Sequence, residues 1–193
     1  LDIGFSNVNP VIHVPGTLLG VSTMENFGTV LDKNIHDYSI YSHSFSPSIS
    51  EVQYQFYNEE IALAEAIGVG IQPFKKDVFY QRTSVLGEEY MGEGCTVPFE
   101  EQWEVGFGTG PFTIKNRYVT EDVPVGCHVY HELGLKFGVP TPIIDSMIVL
   151  GGVMNKTNFF ETGLTLADLG IAHLSKDELL AYLHDGTYVE PEA

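Results

Sequence analysis

The sequence predicts a mainly α-helical fold, a single multi-helix bundle. Three observations carry that reading. Helix starts of the polar-residue–proline type recur along the chain, apolar residues follow them at helical spacing, and alternating strand patterns are weak. Asn9-Pro10 reads as an N-cap with Pro at the first helical position. Ser46-Pro47 repeats the device, and Ile49, Val52, Phe56, Leu63 and Ile67 continue at helical spacing until Gly68 stops the run. Asp122-Val123-Pro124 opens a further helix, closed by Gly138 and Pro140. Thr141-Pro142 starts another, with Ile143, Ile144, Met147, Ile148 and Leu150 as its buried side. Ser175-Lys176-Asp177-Glu178 is a capping box ahead of Leu179, Leu180 and Leu183, and Gly186 ends that helix. Between these elements, Tyr38 to Ser50 reads as a Ser/Tyr-rich loop. Trp103 to Tyr118 reads as a loop with at most a short strand, because three glycines interrupt its β-formers.

Composition bounds the function. A chain of 193 residues suits one domain with its own core, spanning 1–193. The net charge of −17 argues against nucleic acid, whose binders present basic surfaces to phosphates. No apolar run approaches the roughly 20 residues of a membrane span. The start lacks the basic and apolar regions of a signal peptide, and it lacks Met, which suggests a piece of a longer polypeptide. Two cysteines, Cys95 and Cys127, make no disulfide framework, so a reduced, cytoplasmic chain is expected. Gly106-Phe107-Gly108-Thr109-Gly110 has the wrong spacing for a dinucleotide-binding loop, and no βαβ unit surrounds it.

Three residues stand out chemically. His13 falls on the first turn of the Asn9-Pro10 helix, where the helix dipole favours a neutral imidazole able to act as general acid or base. The structural alternative is a capping or packing histidine. Arg117 is one of only two arginines, and a carboxylate-binding site needs the planar guanidinium fork. Its alternative is a surface ion pair. Asp122 suits an N-cap, and it also suits a carboxylate that holds a histidine in one tautomer. Cys127, His128, His131 and Glu132 superficially resemble metal ligands, but helical spacing puts them on two faces and no metal is expected there. Gly87 to Gly94 is an acidic, Gly-rich stretch, a surface loop and candidate lid.

The chain resembles the octopine/nopaline (opine) dehydrogenase family in four blocks that keep their order. These are Asn7-Val8-Asn9-Pro10-Val11-Ile12-His13-Val14-Pro15-Gly16, Asn116 to Pro124, Gly138 to Asp145, and Thr162 to Gly170. The resemblance implies the C-terminal all-α domain of a two-domain enzyme, similar to the 6-phosphogluconate dehydrogenase C-terminal domain. An N-terminal Rossmann domain binding NAD or NADP would belong to the same polypeptide and is absent from this chain. The implied reaction is reductive condensation of an amino acid with a 2-oxo acid through an imine, an oxidoreductase acting on CH–NH donors. His13 is then the acid/base, and Asp122 orients and charge-balances it. Arg117 binds a substrate carboxylate, and Asn9 shapes the helix start that aims His13. Cys127, His128 and His131 depart from the blander helix expected of the family.

Two other function classes compete. One is a non-catalytic helical domain for ligand binding or dimerisation, and a homodimer is compatible with either reading. The other is a 2-oxo-acid reductase of the same superfamily. A metal hydrolase built on Cys127, His128 and His131 is a more remote alternative.

Overall fold

A computed structural model describes residues 7–71, 73–75, 79 and 109–191. Among these residues the regular structure is helical, apart from one isolated parallel bridge between Ser39 and Gly110. The elements are α1 (Asn9–Leu19), α2 (Val21–Asn26), a 3-10 turn (Ile35–Asp37), α3 (Ile40–His43), α4 (Pro47–Ile67) and α5 (Arg117–Thr120). A π-helical turn (Asp122–Cys127) follows, then α6 (His128–Phe137), α7 (Pro142–Asn155), α8 (Phe159–Thr162) and α9 (Lys176–Asp185). The candidate lid Gly87–Gly94, the glycine run up to Gly108, Arg82 and Cys95 lie outside the described residues.

The central element is α1, buried from Pro10 to Leu18. A helix apolar all round its circumference belongs in the interior. It packs against α4, α5, the π-helical turn and α7. Val11, Ile12, Val14 and Leu18 join Phe56, Leu63, Val119, Val123 and Ile144 in one core cluster. Gly16 is required by close approach, since a Cβ there would overlap the ring of Phe45.

Most helix ends follow local chemistry. Ser46 accepts a hydrogen bond from Ile49 N–H, and Gly68 terminates α4 at φ 98°. Gly138 and Gly186 end α6 and α9 in the left-handed region that glycine enters without steric cost. The capping box at Ser175 and Glu178 forms in full.

Several expectations are corrected. Asn9 is not the cap of α1. Val8 holds that place because its carbonyl already accepts from Ile12 N–H at 2.9 Å, and no side chain caps the helix. Asn7 Oδ1 accepts the Asn9 N–H instead. His13 is therefore the fifth residue of α1, beyond the first turn where a helix dipole acts. Asp122 caps nothing either. Tyr38 to Ser50 is not simply a loop, because it contains α3 and a second small core in which fully buried Tyr38 packs with Met24 and Phe27. Trp103 to Tyr118, read as a loop with at most a short strand, shows only the bridge at Gly110 among the described residues, but its end is not loop, because Arg117 starts a helix capped by Asn116. On α4, Ile49 and Val52 are only half-buried, while the polar Gln53 and Glu60 are buried.

The π-helical turn has a visible cause. In an α-helix, His128 N–H would donate to the carbonyl of Pro124. That carbonyl instead accepts from Leu164 N–H at 2.8 Å. His128 N–H reaches back one residue further, to the carbonyl of Val123. A tertiary hydrogen bond thus widens the turn that carries Asp122.

Helices α4 and α7 are joined by an interhelical cap. Thr141 makes no capping bond for α7, and its hydroxyl donates to Asp145 instead. Glu59 of α4 supplies the cap, its two carboxylate oxygens accepting from Ile143 N–H at 2.8 Å and Ile144 N–H at 3.0 Å. Burial raises the Glu59 pKa, and the two bonds partly offset it.

The next residue, Glu60, is fully buried and accepts from the Tyr130 hydroxyl at 2.6 Å. Its second oxygen has no hydrogen-bond partner. Burial pushes its pKa from an ordinary 4.5 up to about 8, against the lowering effect of the Tyr130 bond. The folded state therefore holds this proton more tightly than the unfolded chain. The stability so gained is complete below the unfolded value and is lost as pH rises through the folded one. Between about pH 5 and pH 9, wild-type protein should lose about 3–5 kcal/mol of unfolding free energy relative to Glu60→Gln, which keeps an acceptor for Tyr130. Denaturant titrations of both proteins at the two pH values measure the difference, and a gap that stays constant with pH contradicts it.

Candidate active site

His13 and Asp122 meet although 109 residues separate them. His13 projects from the buried helix α1 and Asp122 from the start of the π-helical turn packed on it. His13 Nδ1 lies 2.9 Å from Asp122 Oδ2, and both side chains are 11% exposed. A carboxylate accepts only, so Nδ1 carries the proton and donates it. In the neutral ring the lone pair is then at Nε2. That nitrogen lies 3.2 Å from the Tyr41 hydroxyl.

The imidazole is held on a third side. The ring of Tyr118 stacks on it with centroids 3.7 Å apart and planes 13° from parallel. Asn116 caps the short helix that places Tyr118, accepting from Tyr118 N–H at 2.9 Å. With Nδ1 bonded and one ring face covered, Nε2 is the nitrogen left to exchange a proton with a ligand. A neutral Nε2 acts as base, and once protonated it acts as acid beside a balancing carboxylate.

Arg117 does not join this contact. It starts α5, one residue before Tyr118, and its side chain is 67% exposed. Among the described residues its guanidinium makes one long ion pair, 3.8 Å from Glu121 one turn along. Such a solvent-exposed pair contributes only about 0.3–0.5 kcal/mol. Asn9 is exposed at the start of α1.

The histidines that departed from the expected pattern have separate partners. His128 is buried rather than solvated, with Nδ1 2.9 Å from the carbonyl of Leu164. A Cβ on Gly163 would overlap that ring, so this position admits only glycine. His131 Nδ1 bonds Asp145 Oδ1 at 2.8 Å, and its ring meets Phe160 edge-on. Cys127 is a free, fully buried thiol of the core cluster. Burial pushes its pKa well up, and the charges of Asp122 and Glu60 add to the rise, so it remains a thiol at neutral pH. Glu132 turns to Leu166 N–H.

Sequence reasoning missed Tyr41, Tyr118 and Glu60. Tyr118 had a weak signal in its place beside Arg117. No local spacing relates Tyr41 to His13, and Glu60 reads as an ordinary exposed acid on a long amphipathic helix.

A helical domain with a histidine–carboxylate pair recessed against its central helix is thus what fold and site define. The chain belongs to the NAD/NADP octopine/nopaline dehydrogenase family, whose alpha-helical domain model matches residues 1–155. It is similar to an opine dehydrogenase of Arthrobacter sp. (strain 1C), 28% identical over 178 residues that cover 91% of this chain and 45% of the relative. It is also similar to a vitopine synthase of Allorhizobium ampelinum, 28% identical over 170 residues that cover 88% of this chain and 44% of the relative. A third relative, "Protein ocs" of Agrobacterium vitis, is 24% identical over 186 residues, or 95% of this chain and 48% of the relative. The chain spans a little under half the length of these relatives. Among the described residues, no helix is long and apolar enough to cross a membrane.

Proposed function

We propose that residues 1–193 form the substrate-binding and catalytic domain of an opine dehydrogenase-like enzyme, which joins an amino acid to a 2-oxo acid and reduces the resulting imine. The enzyme is cytoplasmic, and an N-terminal Rossmann domain of the same polypeptide binds NAD or NADP. The observation that carries this reading is the His13–Asp122 hydrogen bond of 2.9 Å between two recessed side chains.

The described residues fit the reaction through the proton chemistry they offer, and the nicotinamide would supply the hydride. In condensation the amine nitrogen attacks the oxo carbon, and the carbonyl electron pair moves to oxygen. One proton passes from nitrogen to oxygen to give the carbinolamine. A second makes the same journey as water leaves and the C=N bond forms. His13 Nε2 can accept each proton and return it, while Asp122 holds the Nδ1 proton and balances the transient imidazolium. A proton from the same nitrogen can sit on the imine during its reduction.

Arg117 binds one substrate carboxylate. It stands next to Tyr118, which stacks on His13, and among the described residues its ion pair is a long one with Glu121. Asn9 contributes by shaping the start of α1, four residues ahead of His13.

The test follows oxidation of NADH and NADPH by the full-length polypeptide with pyruvate and a panel of amino acids, alone and together. Oxidation that needs both substrates supports condensation. Oxidation with the oxo acid alone would make the protein a 2-oxo-acid reductase. In the same assay Arg117→Lys should raise the KM of one carboxylate substrate about tenfold with little change in kcat, because a point charge replaces a two-toothed fork. An unchanged KM for both substrates removes Arg117 from the site.

A further inference from the structure

We infer that Tyr41 is a second hydrogen-bond donor to the substrate's oxo oxygen, sharing with His13 Nε2 a two-point seat for that one atom. The inference rests on the proposed reaction and adds a residue to its site.

Asp122 takes Nδ1, so any substrate oxygen must be met at Nε2. The Tyr41 hydroxyl is already there, 3.2 Å away. Two polar atoms at that separation can both lie within hydrogen-bonding distance, about 2.7–3.1 Å, of a third atom placed between them. An oxo oxygen in that place would meet the hydroxyl on one side and protonated Nε2 on the other. As the amine attacks, negative charge gathers on this oxygen, and donors already aimed at it stabilise the transition state more than the ground state.

The position of Tyr41 is built rather than incidental. Its helix α3 is fixed at one end by bonds across the bridge, Gly110 N–H to the Tyr38 carbonyl and Ile40 N–H to the Gly110 carbonyl. Both Tyr38 and Ile40 are fully buried. The Tyr41 ring meets the Phe45 ring edge-on, with centroids 5.7 Å apart. Phe45 fills the space that Gly16 leaves open on α1. The hydroxyl is thereby referenced to the same helix that carries His13. Tyr118, covering a face of the imidazole, leaves the edge that Tyr41 shares.

The test is Tyr41→Phe in the full-length protein, which keeps the ring and its contact with Phe45. Two ligands are compared by calorimetry with NADH or NADPH present. Oxamate carries a carbonyl oxygen where the oxo group would be, and propionate has none. Wild-type protein should prefer oxamate, and Tyr41→Phe should lose about tenfold of that preference while propionate affinity holds. In turnover, kcat/KM for the oxo acid should fall about 100-fold, the lower end of what a lost oxyanion donor costs, with the amine KM unchanged. Equal losses on both ligands would reduce Tyr41 to a packing role and overturn the inference. So would an unchanged variant, or wild-type protein that does not prefer oxamate. Amine-dependent turnover by wild-type protein without a selective loss in the variant rejects the oxygen seat alone. A selective loss on oxamate in a protein lacking such turnover keeps the seat and rejects the condensation reaction.

Discussion

Replacing His13 with alanine should lower kcat of the full-length enzyme by about 10²–10⁴-fold, the usual worth of a positioned general acid–base group. The reason lies in how few alternatives the site offers. Tyr41 and Tyr118 contact the ring, the first through its hydroxyl at Nε2 and the second through a stacked face. Cys127 is buried with its pKa pushed up. Binding should suffer less than turnover, because His13 is assigned a proton and Arg117 a substrate carboxylate. The truncation also leaves Asp122 without its partner in a recessed place, so stability should be followed alongside rates. Steady-state kinetics of a folded His13→Ala protein decide the matter. Wild-type kcat in that protein would remove His13 from the chemistry.

Asp122→Asn should cost a comparable amount, about 10²–10⁴-fold in kcat, with no comparable loss of fold. Asparagine keeps the size and one acceptor, and Asp122 caps no helix whose start would unravel. It loses the charge that balances the imidazolium, and its amide can donate to Nδ1 and so stabilise the wrong tautomer. The pair should act as a unit. A His13→Ala, Asp122→Asn double variant should therefore be no slower than His13→Ala by itself. Fully multiplicative losses would mean that Asp122 works through something other than His13.

Much of the fold is legible locally. The Pro starts of α4 and α7, the capping box of α9 and the glycine ends of α4, α6 and α9 stand where spacing and side-chain chemistry put them. The errors share a cause. Asn9 and Asp122 both have good capping chemistry, yet Val8 takes the first role and His13 claims the second carboxylate. Tyr38 to Ser50 reads as a loop from its Ser/Tyr-rich composition, whereas the burial of Tyr38 against Met24 and Phe27 orders the segment.

Chemistry and a family resemblance single out three candidate site residues, and tertiary structure sorts them. His13 and Asp122 bond directly, while Arg117 stays at the surface beside the stacking Tyr118. Among the described residues two histidine–aspartate pairs form, His13 with Asp122 and His131 with Asp145. Nothing local distinguishes them. By itself the sequence determined the starts of α4, α7 and α9 and the glycine ends of α4, α6 and α9, since those choices depend on side-chain chemistry and bonds within a few residues. Only the tertiary structure decided which acid meets which histidine, that Tyr41 stands at Nε2, and that Pro124 gives its carbonyl to Leu164 and widens the turn beneath Asp122. Those contacts join residues 14 to 109 positions apart, and the packing of the helices against one another is what brings them within hydrogen-bonding distance.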